Sequence, residues 1–207
     1  MKEFNEEFRT RLYNTIKDIE SGSLIEIVVL IKPQSGSYRD VALWAGIIFS
    51  FFIYSTLMFI PVNIDVYSIY FSTVLAFVVA YVLFSAFPLL ESKFISAKRK
   101  RRNVELYARA IFQKAGIRFT SERVGTLFYI SLFEKEVFIL PDRGAKNAIP
   151  AQEWTKIEQE MQSVFNESDR AAAIIQKLSG FKTVFGQFLP PVENDINELP
   201  DNLDVSI

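Results

Sequence analysis

The chain has 207 residues, half of them hydrophobic and 20 of them Phe, with a formal net charge of −1. That length suits one soluble domain plus a membrane element better than two full domains, and the near-zero charge gives no overall field pointing to nucleic acid. Cys and His are both absent, which excludes disulfides, thiolate nucleophiles, Ser-His-Asp triads and typical zinc sites; any bound metal needs oxygen ligands, which favours Ca²⁺ or Mg²⁺.

From Glu3 to Glu20, Phe4, Phe8, Leu12, Ile16 and Ile19 recur at spacings of three and four, the period of an amphipathic helix. Ser21-Gly22-Ser23 breaks it. Leu24–Ile31 (LIEIVVLI) is a short, β-branched apolar run that reads as a buried strand, and Lys32–Ser37 reads as a loop.

Two uncharged stretches follow, between Asp40 and Asp65 and between Asp65 and Glu91. Each exceeds the roughly 20 apolar residues that cross a bilayer as a helix, so residues 41–62 and 66–90 are expected to form an antiparallel transmembrane hairpin. Trp44, Tyr67, Tyr70 and Tyr81 include candidate interfacial anchors. Lys98, Arg99, Lys100, Arg101 and Arg102 crowd the end of the second span, Lys32 and Arg39 precede the first, and the turn at Pro61–Asp65 has no Lys or Arg. By the positive-inside rule both termini are cytoplasmic. The basic run is expected to sit at the membrane surface, as a topology anchor first and an anionic-lipid or nucleic-acid patch second. The charged N-terminus argues against a cleavable signal peptide.

Beyond the spans, Asn103–Ala115 carries Val104, Tyr107, Ala108, Ile111 and Phe112 on one helical face, with Gly116 as its stop. Leu127–Phe133 and Val137–Leu140 read as strands joined by a turn at Glu134-Lys135-Glu136. Pro150 opens a helix with Trp154, Ile157, Met161 and Val164 inward. Another helix is expected from Ser168 to about Phe188, capped by Ser168 or Asp169. Tyr13 and Tyr107 are expected in the core, and residues 191–207 as an acidic, disordered tail. The first strand lacks partners on its own side of the hairpin, so one sheet built from both sides is the economical solution. The expected architecture is a single layered α/β/α domain, residues 1–40 and 91–190, interrupted by the two spans.

The sequences SLIEIVVLIKPQSGSYRDV, ARAIFQKAGIRFTSERVGTLFYISLFEKEVFILPDRG and IPAQEWTKI, in this order, resemble the TPM domain family in its membrane-inserted branch. The resemblance implies a central sheet with helices on both faces. It also brings divalent-cation binding and phosphatase activity into view, since both have been linked to some soluble members in photosystem repair. This chain departs from the family in having Leu24-Ile25-Glu26 where relatives often carry Gly-Glu, and Asp142-Arg143-Gly144 in place of an acidic or glycine-rich stretch.

Ligands of α/β sheets sit at the carboxyl ends of strands, which selects Gln34, Ser35, Ser37, Tyr38 and Asp40 after the first strand, and Asp142, Arg143 and Asn147 after the last. Should these loops converge, Asp142, Ser35 and Asp40 are the candidate ligands of Ca²⁺ or Mg²⁺. Turn chemistry explains the same residues without a metal. A phosphatase requires several carboxylates and an activated water, and few are available. The expected role is therefore a non-catalytic module at a bacterial inner membrane, an assembly or repair accessory that binds a membrane or cytoplasmic protein but no nucleic acid. The alternatives are a metal-dependent phosphatase, and a hairpin that pairs with other membrane helices through Ala42, Ala45, Gly46, Ser50, Ala76 and Ala80.

Overall fold

The computed structural model describes residues 3–120 and 122–192; the acidic tail expected over residues 191–207 lies outside them from residue 193 onward. The chain divides into two compact units, one made of Met1–Ser35 with Arg101–Ile207 and the other of Gly36–Lys100.

The first unit is built on a three-stranded sheet of β1 (Glu26–Lys32), β2 (Gly125–Ser131) and β3 (Glu136–Pro141) in the order β1-β2-β3. β1 pairs parallel to β2, Glu26 opposite Gly125 and Lys32 opposite Ser131, and β3 returns antiparallel, Glu136 opposite Ser131 and Pro141 opposite Thr126. Every residue of β2 is buried, as expected of a central strand covered on both faces.

Alternation along the strands divides the core. Ile27, Val29, Ile31, Phe128, Ile130 and Val137 pack with α1 (Glu6–Glu20), α6 (Arg143–Ala148), α7 (Ala151–Gln162), α8 (Arg170–Gly180) and α9 (Lys182–Phe188). Val28, Leu30, Leu127 and Tyr129 pack on the other side with Val104, Ala108 and Phe112 of α5 (Ala97–Lys114), and with Ile117 in the 3-10 turn Ile117–Phe119. Each fully buried side chain of this size contributes about 1.5–3 kcal/mol, so the first and larger cluster dominates stability.

Local signals set the helix limits. Asn5 Oδ1 accepts the Phe8 N–H at 2.9 Å and starts α1, and the Asp169 carboxylate accepts the Ala172 N–H at 2.9 Å and starts α8. Gly116 follows α5 with φ 72°, the left-handed conformation of a helix stop. The helix expected from Ser168 to Phe188 is two helices: Gly180 is a poor helix former, and Phe181 turns inward to stack on Phe128 at 6.5 Å between ring centroids. Leu132 and Phe133 belong to the β2–β3 turn, where Lys135 takes φ 54°. Tyr13 and Tyr107 are 37% and 40% exposed and so are not core residues; each lies at the edge of its helix's buried face.

The second unit holds two long helices, α2 (Arg39–Phe59) and α3 (Val66–Ala86), and the short α4 (Pro88–Lys93). α3 stops four residues before the limit expected of the second span, because Pro88 disfavours helical geometry at Phe87 and opens α4 at its first position. Gly46 lies against the Phe77 ring, where a Cβ would come within 2.8 Å, and Ala42, Ala76 and Ala80 are buried. These small side chains pack α2 on α3.

Candidate functional site

The carboxyl ends of the parallel strands carry the most connected polar cluster of the α/β unit. Ser131, the last residue of β2, is fully buried, Glu134 in the following turn is 4% exposed, and Tyr129 is fully buried. Ser35 arrives from the loop after β1. Its N–H donates to Glu134 Oε1 at 3.0 Å, its hydroxyl donates to Ser131 Oγ at 2.6 Å and also lies 2.8 Å from Tyr129 Oη, and Ser131 in turn donates to Glu134. A hydroxyl has one proton to give. With the Ser35 and Ser131 protons committed, the Tyr129 O–H must donate to Ser35 Oγ, and the chain runs Tyr129 to Ser35 to Ser131 to Glu134. Burial pushes the Tyr129 phenol up to about 12, which keeps that proton in place. Backbone bonds extend the same junction, Leu132 N–H to Lys32 O and Phe133 N–H to Pro33 O, both at 2.9 Å. With every hydroxyl proton given inside the cluster, the arrangement anchors the loop after β1 to the β2–β3 turn.

Of the residues that sequence reasoning proposed for a cation, Ser35 belongs to this cluster and Asp142 does not. β3 runs antiparallel, so its carboxyl end lies beside the start of β2, five residue pairs from Ser131, or roughly 17 Å. The loop after β3 therefore lies at the opposite end of the sheet from Ser35, and the convergence on which the shared cation site was conditional does not occur between them. Asp142 Oδ1 accepts the Arg143 N–H at 2.7 Å at the start of α6, while its Oδ2 is buried without a hydrogen-bond partner. Asp40 stands in the first turn of α2, held by both arms of the Arg99 guanidinium at 2.7 Å. No group of three or more metal-binding side chains gathers among the described residues, and Ser35 and Asp142 are too far apart to share one ion.

The basic run is also divided. Arg99 is taken by Asp40 and stacks over Tyr38 at 5.1 Å, and Lys100 donates to Ser92 Oγ at 2.6 Å. Arg101 pairs with Glu136 at 3.1 Å and with Glu158, and donates to Val137 O at 3.1 Å. Only Lys98 and Arg102 of the five are exposed. The reason is helical: the run lies within α5, which begins at Ala97, so its residues point in different directions around the axis. Arg101 and Gln162 together cover the outer edge of β3, since Gln162 Oε1 accepts the Val137 N–H and its Nε2 donates to Lys135 O, both at 2.8 Å.

Sequence reasoning missed Tyr129, Ser131 and Glu134. Tyr129 and Ser131 are hidden in an apolar strand, and Glu134 reads as a turn residue. The available signal was a lone Ser closing a hydrophobic strand three residues before an acid. A separate open cleft of about 380 Å³ lies between the starts of α1 and α8, but Asn5 and Asp169 in its wall serve as helix caps.

Residues 94–184 match the TPM domain family, a stretch running from the end of α4 into α9. The fold is similar to the NMR structure of BA42 protein from the psychrophilic bacterium Bizionia argentinensis sp. nov., with 15% identity and a TM-score of 0.58 over 95% of this chain and 91% of that one. No curated protein matches the chain.

Proposed function

We propose that the protein is a TPM-type α/β module held at a bacterial inner membrane by the α2–α3 hairpin, with both termini cytoplasmic, acting as a partner-binding accessory and not as a hydrolase. The observation that carries the membrane part is that α2 and α3, each 21 residues long, bury only 11% of their apolar windows inside the protein. A core helix of a soluble fold is mostly buried, and apolar exposure on this scale is foreign to a soluble monomer. Ser50, Thr56 and Thr73 support the reading, because each hydroxyl donates to a carbonyl of its own helix, at 3.0, 2.8 and 2.8 Å, as suits surroundings without water. The Ser131 hydroxyl that faces the Glu134 carboxylate is fully buried, out of reach of a substrate, which supports the non-hydrolytic reading.

The test is carbonate extraction of membranes from cells expressing the chain, combined with compartment reporters fused at either end and in the turn at Asn63. Retention in the pellet, with only the turn reporter outside the cytoplasm, is expected. Recovery in the soluble fraction would overturn the membrane reading, and turnover of a phosphate ester that is lost in Ser35→Ala would overturn the non-catalytic one.

A further inference from the structure

We propose that the outward face of α5, continued by the turn Ile117–Phe119, docks on a bilayer surface of anionic lipid. This rests on the membrane reading above and adds which surface of the α/β unit meets lipid. Most of the basic run takes no part, since Arg99, Lys100 and Arg101 are engaged by protein groups. Arg102 and Leu106 lie at helical spacing on the side opposite Val104, Ala108 and Phe112, and both are exposed; Arg109, next along this side, turns its guanidinium over the Phe138 ring at 5.8 Å and contributes no free charge. Past Gly116, Arg118 stacks on Phe119 at 4.8 Å, and that ring is 71% exposed.

Two observations commit this face to an anionic bilayer. The first is its chemistry. Between Ala97 and Phe119 the only acid is Glu105, which Arg109 already holds at 2.8 Å, while Arg102 and Arg118 form no ion pair among the described residues. Leu106 and Phe119 are two of the few large apolar side chains exposed in this unit, and cations flanking insertable apolar groups are the pattern of an interfacial helix. The second is chain continuity. Only ten residues separate the end of α3 from the start of α5, so a spanning α3 delivers α5 to the headgroup region.

Because the chain has no Cys, a single introduced one can be labelled uniquely. The full chain is placed in nanodiscs of zwitterionic or anionic lipid carrying a quencher either at headgroup depth or at mid-chain depth, with fluorophores at Gln113→Cys on the exposed face of α5, at Gln176→Cys on α8 across the sheet, and at Phe51→Cys in the middle of α2. Headgroup quenching at Gln113→Cys in anionic discs, weakened by salt and absent at Gln176→Cys, is expected. Arg102→Gln and Arg118→Gln should each weaken docking about fivefold. Mid-chain quenching at Phe51→Cys without headgroup quenching at Gln113→Cys overturns the docking and leaves the membrane reading intact. If Phe51→Cys also escapes the mid-chain quencher, the membrane reading falls and takes the docking with it. Equal quenching at Gln113→Cys in zwitterionic discs overturns the charge argument. A response at this position to an added oligonucleotide in detergent, stronger than that to anionic lipid, overturns the proposal in favour of nucleic acid.

Discussion

Replacing Glu134 by Ala removes the acceptor of two donors at once, the N–H of Ser35 and the hydroxyl of buried Ser131. A buried donor left unsatisfied costs about 1–3 kcal/mol. Ser35 is only half-buried, so water can replace part of its loss, and the sum comes to about 2–4 kcal/mol. The damage should be local, since Leu132 and Phe133 bond to Lys32 and Pro33 through the same junction. The assay is native-state hydrogen exchange of the full chain in detergent or nanodiscs. If the junction loses ~2 kcal/mol, protection of the Leu132 and Phe133 amides falls by about 30-fold, while amides of α8 on the far part of the core keep theirs. Glu134→Gln, which retains one acceptor oxygen, should lose less. Unchanged protection at 132–133 in Glu134→Ala would refute the claim that this carboxylate holds the loop to the turn.

The Tyr129 phenol, raised in the fold to about 12 from 10, contributes stability that is complete below pH 10 and lost as pH climbs through 12. That alkaline loss is on the order of 2 kcal/mol, and denaturant midpoints should show it in the parent and not in Tyr129→Phe. Gly125→Ala sets a Cβ against the Ile117 carbonyl oxygen and 2.9 Å from its Cγ2; backbone cannot yield as a side-chain tip does, so a loss of ~3 kcal/mol or more in unfolding free energy is expected. In the hairpin, Gly46→Leu meets the Phe77 ring and carbonyl and should separate α2 from α3, read as a loss of crosslinking between cysteines introduced at Ala42 and Ala80. Burial pushes the Glu91 carboxyl up, with Asp40 adding to it. Its stability is complete at acid pH and lost as pH rises through the folded value, so Glu91→Gln should be neutral or slightly stabilising at pH 7 in thermal scans.

The helices α1, α5 and α7 were readable from the sequence because burial on one face leaves a period, whereas β1 and β2, buried on both faces, showed as short β-branched or aromatic apolar runs. That β1 shares a sheet with the later strands followed from a strand with no partner on its own side of the insertion; which strand it pairs with, and that the pair is parallel, came only from the structure. The convergence of the loops holding Ser35 and Asp142 does not occur because the short turn at Glu134-Lys135-Glu136 can join only antiparallel strands. That turn was legible, and it already places Asp142 at the opposite end of the sheet from Ser35. The basic run misled for a different reason. Charge counts carry no angle, and only the helix beginning at Ala97 shows that Arg101 turns toward Glu136 and Glu158 while Arg102 turns out. α6 was missed because six residues are too short to show a period.

The parallel pairing of β1 with β2 has a consequence for the order of events during synthesis. About ninety residues lie between the two strands, and at ~5–20 residues per second the ribosome needs roughly 5–18 s to make them. For that interval β1, the apolar segment EIVVLIK, has no neighbour in the sheet, a situation that invites pairing with other chains. Both long apolar helices are made in the same interval. Sheet closure is therefore the late step, and a chain stalled in the hairpin leaves behind an orphan strand, the form of this protein that a quality-control protease would be expected to clear first.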